Sequence, residues 1–424
     1  MKEIYSIIIF SILFFSCKKE YRAPVPNVSG WDLFENSSTQ HLSNISRSAM
    51  EGVYKLTKGN NEFGDLVALK WSFVIEKNDT TFHLSGFFGK DISYFICEGK
   101  ILNGSILLNG YWRKMVSVAT GIIRLTIKPQ EGASMLLSEN PFSGIDIIAI
   151  DGLFGNGQTM PNIPIHFIYD RKLNTANKFK IMSHRSGGRT SDLLPFSENS
   201  IGIIKKKAEF GSTGIEIDVR LTKDGIPILY HDNTLNTREV QKSGLLGPIE
   251  NYTFDQLSTF VRLTDGEKIP TLRDALNAVI YQTPLTFVWL DTKYTGSIIE
   301  VHAIQKEYLQ LAAAAGRQLE IVIGLPTDDA YNEFIKLPAY KSVPSLSEQT
   351  PEVVLNINSR VWAPRFTLGT QNELVDQVHA NGKLAFVWTL DVPEYIERFI
   401  NYGRFDAILS NYPSCVAYYY YVHQ

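Results

Sequence analysis

The chain runs to 424 residues, more than one ordinary domain holds, so two folded units are expected. Charged residues make up 20% of it and the formal net charge is −3, which leaves no electrostatic footprint for nucleic acid. A hydrophobic content of 44%, with 24 Phe and 20 Tyr, excludes disorder over most of the length.

Residues 1–16 read as a lipoprotein-type signal peptide. The apolar run from Ile4 to Phe15 is short for a bilayer span and fits a signal-peptide core. Ser16-Cys17 ends it ahead of Lys18-Lys19-Glu20, a loose match to a bacterial lipoprotein box, with Phe14 and Phe15 at positions where Leu and a small residue are usual. On this reading Cys17 carries the lipid and ties the chain to a membrane of the bacterial envelope, on the periplasmic or outer-membrane face. The alternative is an ordinary secretory signal with an incidental cysteine. Cys97 and Cys415 fall in different expected domains and read as separate buried thiols; no Cys–His spacing suggests zinc.

Residues 17–47, rich in Pro, Ser and Asn from about residue 21, read as a tether. From 48 to 172 the texture is all-β. About eight short alternating or β-branched runs, such as Leu66–Ile75 and Ile122–Ile127, are broken by turn signals at Lys58-Gly, Asn103-Gly and Asn109-Gly. This predicts a small antiparallel sandwich or an up-and-down barrel. Its functional reading is contact with a glycan, a ligand or a protein; its bland reading is a structural spacer or docking module.

From 176 to 424 the pattern changes to strand-then-helix units. Strands are expected at 179–184, 213–219, 226–231, 285–291, 319–324, 353–358, 384–389 and 405–410, with helices over 199–210, 271–280, 297–316, 370–381 and 393–402. Eight strands over this length predict a (β/α)₈ TIM barrel. The link from 219 to 225 is too short for a helix, so a parallel arrangement of the second and third strands requires an extended crossing that turns at the barrel floor.

Strand ends of such a barrel converge on one rim, where its active sites lie. His184 and His231 each close an apolar run, and Glu216 and Asp218 close another. Two apart on a strand, these carboxylates face one side, where mutual repulsion raises their pKa unless a cation intervenes. A hard divalent ion, Ca²⁺ or Mg²⁺, answers that need; the bland alternative is an ion pair with Arg220 or Arg185. Asp291 and Lys293 obey the same spacing. Trp388 ends a strand and reads as an apolar wall against a small polyol or head group, or as a core aromatic capping the barrel. Asp232 reads as an orienting partner for His231. The other six of the eight histidines have no such setting.

These residues resemble the glycerophosphodiester phosphodiesterase family. The likeness begins at His184-Arg185 and passes through Ser197-Glu198-Asn199-Ser200. It is densest from Gly214 to Asp232 and resumes at Leu290-Asp291-Thr292-Lys293, Val387-Trp388-Thr389 and Phe405–Pro413. The resemblance implies metal-dependent hydrolysis of glycerophosphodiesters to glycerol phosphate and an alcohol. It implies His184 and His231 as the acid–base pair, and Glu216, Asp218 and Asp291 as metal ligands. Arg185, Glu198 and Lys293 become phosphate- or ligand-orienting groups. Departures from the pattern are the long stretch after His184, Ser197 in place of Pro, Asp291 in place of Glu, and the sequence from Asn233 to Arg238. They leave room for a larger phosphodiester (a phospholipid, a phosphosugar or a wall polymer) or for a surface binding protein with impaired catalysis.

Overall fold

The computed structural model describes residues 25–115, 117–141, 147–175, 178–189 and 192–423. The expected signal peptide and Cys17 lie outside them. Among the described residues no helix is long and apolar enough to cross a membrane.

The N-terminal unit is a closed barrel of eight antiparallel strands. They are β1 (Gly52–Lys58), β2 (Leu66–Glu76), β3 (Asp79–Phe88), β4 (Ser93–Leu102), β5 (Ser105–Lys114), β6 (Thr120–Ile127), β7 (Ala149–Phe154) and β8 (Ile163–Arg171). Each strand pairs with its neighbour in sequence, and β8 pairs back onto β1. Of the two expected architectures, the up-and-down barrel is the one that forms; closure leaves no barrel edge to template aggregation. Phe88, Phe95, Trp112, Phe154 and Phe167 fill the interior. Phe63, from a short helix, enters this cluster with its ring 4.7 Å from Phe88 and 5.1 Å from Phe154. The stretch expected to be a tether is, from Val25 onward, docked on this barrel. Gln40–His41 pairs with β4, Phe34 and Leu42 are buried, and Asn109 donates to the Val28 carbonyl at 2.9 Å.

The C-terminal unit is a TIM barrel. Its parallel strands are β9 (Lys180–Ser183), β10 (Gly214–Leu221), β12 (Phe287–Thr292), β13 (Glu320–Leu325), β14 (Ser345–Ser347), β15 (Val361–Trp362), β16 (Leu384–Val387) and β17 (Ala407–Ser410). The ring closes where β9 pairs with both β10 and β17. The helices around the ring are α1 (Ile201–Lys206), α2 (Leu272–Gln282), α3 (Ile299–Ala314), α4 (Asp328–Phe334), α5 (Pro351–Asn356), α6 (Asn372–Ala380), α7 (Pro393–Tyr402) and α8 (Pro413–Val422), and one more helix, Phe254–Phe260, lies between α1 and α2. Met182, Phe287, Trp289, Val322, Leu346 and Phe386 pack the interior.

Two expected strands are corrected. The stretch 226–231 supplies β11 (Pro227–Leu229), which runs antiparallel to β10 as a hairpin and lies outside the parallel ring. The five residues from Thr222 to Ile226 make a turn and cannot carry a crossover, which needs a dozen or so. The stretch 353–358 falls mostly in α5, because Pro351 pre-sets a helical first turn. The ring's fifth and sixth strands flank that helix, at 345–347 and 361–362.

Candidate active site

Adjacent strands set the acidic cluster. β10 and β12 pair in parallel with Asp218 directly beside Asp291 and Glu216 beside Trp289. One ligand atom from each of Glu216, Asp218 and Asp291 lies within 4.8 Å of the others, and all three residues are buried. Burial and the charges of Asp218 and Asp291 hold the Glu216 carboxyl well above the usual range. Asp291 is raised too, by burial. Asp218 stays low despite burial, because Lys293 and both catalytic-candidate histidines favour its charge. Lys293 Nζ lies 2.5 Å from Asp291 Oδ2 and 3.4 Å from Asp218 Oδ1.

The two imidazoles reach this cluster by different routes. His184 follows β9 directly, with Nε2 3.9 Å from Glu216 Oε2. Its Nδ1 meets Asn411 Oδ1 at 2.9 Å, and Asn411 donates in turn to Asp391 through its backbone N (2.9 Å) and Nδ2 (2.6 Å). An amide held this way accepts from Nδ1–H and leaves Nε2 as the working nitrogen. Burial and the Arg185 guanidinium push the His184 pKa down to about 4. His231 arrives from the β10–β11 hairpin. Tyr230 N donates to the Asp218 carbonyl, and the Arg220 guanidinium grips the His231 carbonyl at 3.0 Å. Its Nδ1 lies 2.7 Å from Asp232 Oδ1, the orienting role read from the sequence.

Arg185 ties the two halves together. Its backbone N donates to Glu216 Oε2 at 2.7 Å, Nη1 to Glu198 at 3.0 Å and Nη2 to His231 Nε2 at 2.9 Å. Glu198, buried, also takes Arg238 Nη1 at 2.9 Å, so it braces two guanidiniums. His231, Asp232 and Glu239 also cluster, but Glu239 already accepts the backbone N–H groups of His231 and Asp232 and an Arg238 bond. That cluster is a hydrogen-bonded brace for His231. Arg220 pairs with Glu250 instead of the acidic trio. Trp388 rests on the apolar barrel interior, its indole N–H on the Ala363 carbonyl at 2.8 Å and Arg365 over its ring at 4.8 Å. A groove of about 1060 Å³ runs along the rim past His231, Asp232, Asn233, Lys293, Tyr294 and Thr327.

Sequence reasoning missed several of these groups. Asn199 donates to Asp218 Oδ2 at 2.7 Å and accepts from the Asp218 backbone at 3.2 Å. Asn411 and Asp391 hold His184, and Arg238 links Glu198 to Asp232. Glu348, just past β14, has its pKa pushed up to about 8 by burial and by Asp291. Asn199 and Asn411 lie within stretches that resemble the family; their positions just before the first helix and just after a strand were the available signal.

Residues 184–414, more than half of the chain, match the Glycerophosphoryl diester phosphodiesterase family. The chain belongs to that family. Its members are phosphoric diester hydrolases, and the match leaves the N-terminal barrel outside. Human Glycerophosphodiester phosphodiesterase 1 is 35% identical over 112 residues, which are 24% of this chain and 31% of the human protein. The chain thus matches about a third of that relative's length. A glycerophosphodiester phosphodiesterase of Caldanaerobacter subterraneus is 24% identical over 246 residues, 56% of this chain and 95% of that protein. A solved glycerophosphodiester phosphodiesterase from Parabacteroides distasonis covers 56% of this chain and 94% of its own, at 22% identity and a TM-score of 0.45.

Proposed function

We propose that the protein hydrolyses glycerophosphodiesters to glycerol phosphate and an alcohol, with His184 and His231 as the acid–base pair and a divalent cation on the acidic trio. The observation that carries this reading is the buried convergence of two oriented imidazoles on three carboxylates, within the stretch that matches the family.

The residues fit a hard cation. Among the described residues, buried Glu216 Oε1 and Asp291 Oδ1 accept no hydrogen bond, and Asp218 Oδ1 has only the Lys293 ammonium at 3.4 Å. Orphaned buried carboxylate oxygens are expensive, and oxygen-ligated Mg²⁺ or Ca²⁺ is the partner that suits them. When bound, such an ion supplies charge stabilisation for the phosphoryl oxygens. The chain's own groups do the rest. Lys293 and Arg185 place fixed positive charge where the non-bridging oxygens sit. Asn411 and Asp232 hold the two Nδ1 atoms; this leaves His184 Nε2 open beside Glu216, while His231 Nε2 exchanges its bond from Arg185 Nη2 for the substrate as the guanidinium turns to the phosphate. One Nε2 takes the nucleophile's proton and the other gives a proton to the leaving alkoxide.

The reading includes a lipid anchor at Cys17 and a place in the bacterial envelope, supported by the apolar run and its Ser16-Cys17 end. A larger phosphodiester is the second reading, favoured by the size of the rim groove. One experiment tests both. A phosphodiester panel (glycerophosphocholine, glycerophosphoethanolamine, a lysophospholipid) is incubated with the protein in EDTA, Mg²⁺ or Ca²⁺, and the products are identified. Cation-dependent release of glycerol phosphate is expected, and His184→Ala and His231→Ala should each lower kcat by about 10²–10⁴-fold. Absence of turnover on every diester would refute the reading.

A further inference from the structure

The outer face of the N-terminal barrel presents a buried arginine to the other barrel. Arg113 on β5 is 1% exposed and forms no ion pair among the described residues. Its Nη2 donates to the carbonyl oxygens of Leu193 at 3.0 Å and Asp192 at 3.3 Å, while Nε and Nη1 are buried without hydrogen-bond partners. A guanidinium taken out of water with three of its five N–H donors unmet is costly. Apolar contact alone would dock two barrels more cheaply. What Arg113 reaches is irregular backbone, whose carbonyls no strand or helix can satisfy.

That backbone belongs to the long loop behind His184. The Asp192 carboxylate accepts from Arg189 N at 2.9 Å and from Tyr412 OH at 3.0 Å. Tyr412 directly follows Asn411, whose Oδ1 holds His184 Nδ1. At the loop's near end Gly187 and Gly188 donate to the His184 carbonyl, both at 2.8 Å, and the Gly187 carbonyl takes Lys207 Nζ at 2.7 Å. Lys207 is itself buried, and a Cβ at Gly187 would lie 1.6 Å from its Cε, so the ammonium is seated hard beneath the loop.

We infer that Arg113 is a positioning residue: through Asp192 and Tyr412, the N-terminal barrel holds the loop that fixes where the His184 imidazole stands. This gives the extra domain a part in the active site, and its kinetic consequence rests on the phosphodiesterase reading above.

The test uses the whole chain with Arg113→Met, Arg113→Lys, Tyr412→Phe and the Arg113→Met/Tyr412→Phe pair. Amide exchange at 186–189 and 192–194 should rise in Arg113→Met while that over 287–292 stays at wild-type rates. kcat should fall by about 10- to 100-fold, the cost of a small misplacement of a catalytic group, with KM within about twofold; Arg113→Lys should recover part of the loss. In the double variant the kcat losses should overlap, because both side chains act on Asp192 and a pair that shares a partner is not additive. Wild-type exchange at those loop positions in Arg113→Met would overturn the inference, as would strictly additive kcat losses. A wild-type protein inactive on every diester would sink the phosphodiesterase reading, and the exchange measurement would still decide the role of Arg113.

Discussion

Asp291 carries the sharpest tension in the site. It stands one methylene short of the glutamate that the family resemblance leads one to expect. Yet its register opposite Asp218 brings its carboxylate within 4.8 Å of both other acids. The shorter arm is offset by strand pairing. Lys293 neutralises one of its oxygens and leaves the other orphaned and buried. Asp291→Asn should therefore separate cation binding from folding. A cation that binds only the folded wild type adds about 2.7 kcal/mol at a hundredfold excess over Kd, a rise of roughly 3–4 °C in Tm for a chain of this length melting as one unit. In the variant that rise should vanish and kcat should fall by about 10²-fold or more. A full cation-induced Tm rise in Asp291→Asn would place the ion elsewhere.

The β10–β11 hairpin is the element that the sequence reading set wrongly while naming the right residue on it. The shortness of the 219–225 link was plain, but a run as apolar as Gly225–Tyr230 reads the same whether parallel or antiparallel. Only the pairing of Leu229 with Val219 distinguishes them. The sixth expected strand, 353–358, was misplaced for a related reason: Val353-Val354-Leu355 has strand composition, and the helix it joins is decided by Pro351 and by packing. The acid trio and both histidines were legible because chemistry leaves fixed residue types at strand ends. Asn199, Asn411 and Arg238 were not, since Asp218, His184 and Glu198, the groups they brace, come from other elements of the fold. The hairpin turn gives a direct test. Gly225 has φ +77° and open space where a Cβ would go, so Gly225→Ala meets only a backbone cost of about 1 kcal/mol. Tm should drop by about 1–2 °C. kcat at 25 °C should stay within a few-fold of wild type, because Arg220 and the Tyr230–Asp218 bond hold His231 independently of the turn. A large kcat loss would show that the turn itself places the imidazole.

At the scale of the whole molecule, the two barrels share a core. On β3 and β4 successive residues face opposite ways, with Phe88, Phe95 and Cys97 inward and Phe87, Tyr94 and Ile96 packed against Phe210, Ala417 and Tyr421 of the other barrel. Strands apolar on both faces are the sequence trace of such burial, and Tyr94–Cys97 shows it at four consecutive positions. Glu209 sits in the same seam, 3.1 Å from His83 Nδ1 and from Lys206 Nζ, and burial pushes its pKa up to about 7. The folded state then keeps a proton that the unfolded chain loses between about pH 4.5 and 7, so this group lowers stability as pH rises through that window. The Tm difference between Glu209→Gln and wild type should accordingly grow in the variant's favour from pH 4.5 to 7 and level off above; a difference independent of pH would mean Glu209 stays charged in the fold.

The shared core also predicts how the molecule comes apart. Domains joined by a small polar seam move and melt separately, whereas a large apolar one couples them. Phe87 is fully buried, its ring 6.4 Å from Tyr421 and its edge against Gly211. Calorimetry of the wild type should show a single transition. Phe87→Ala, expected to cost about 3–5 kcal/mol as a large core truncation, removes contact from the seam as well as from the barrel wall. It should resolve the melt into two transitions, with the TIM barrel's now following cation concentration alone. Two separate transitions already present in the wild type would show that the seam, however apolar, does not bind the two barrels into one cooperative unit.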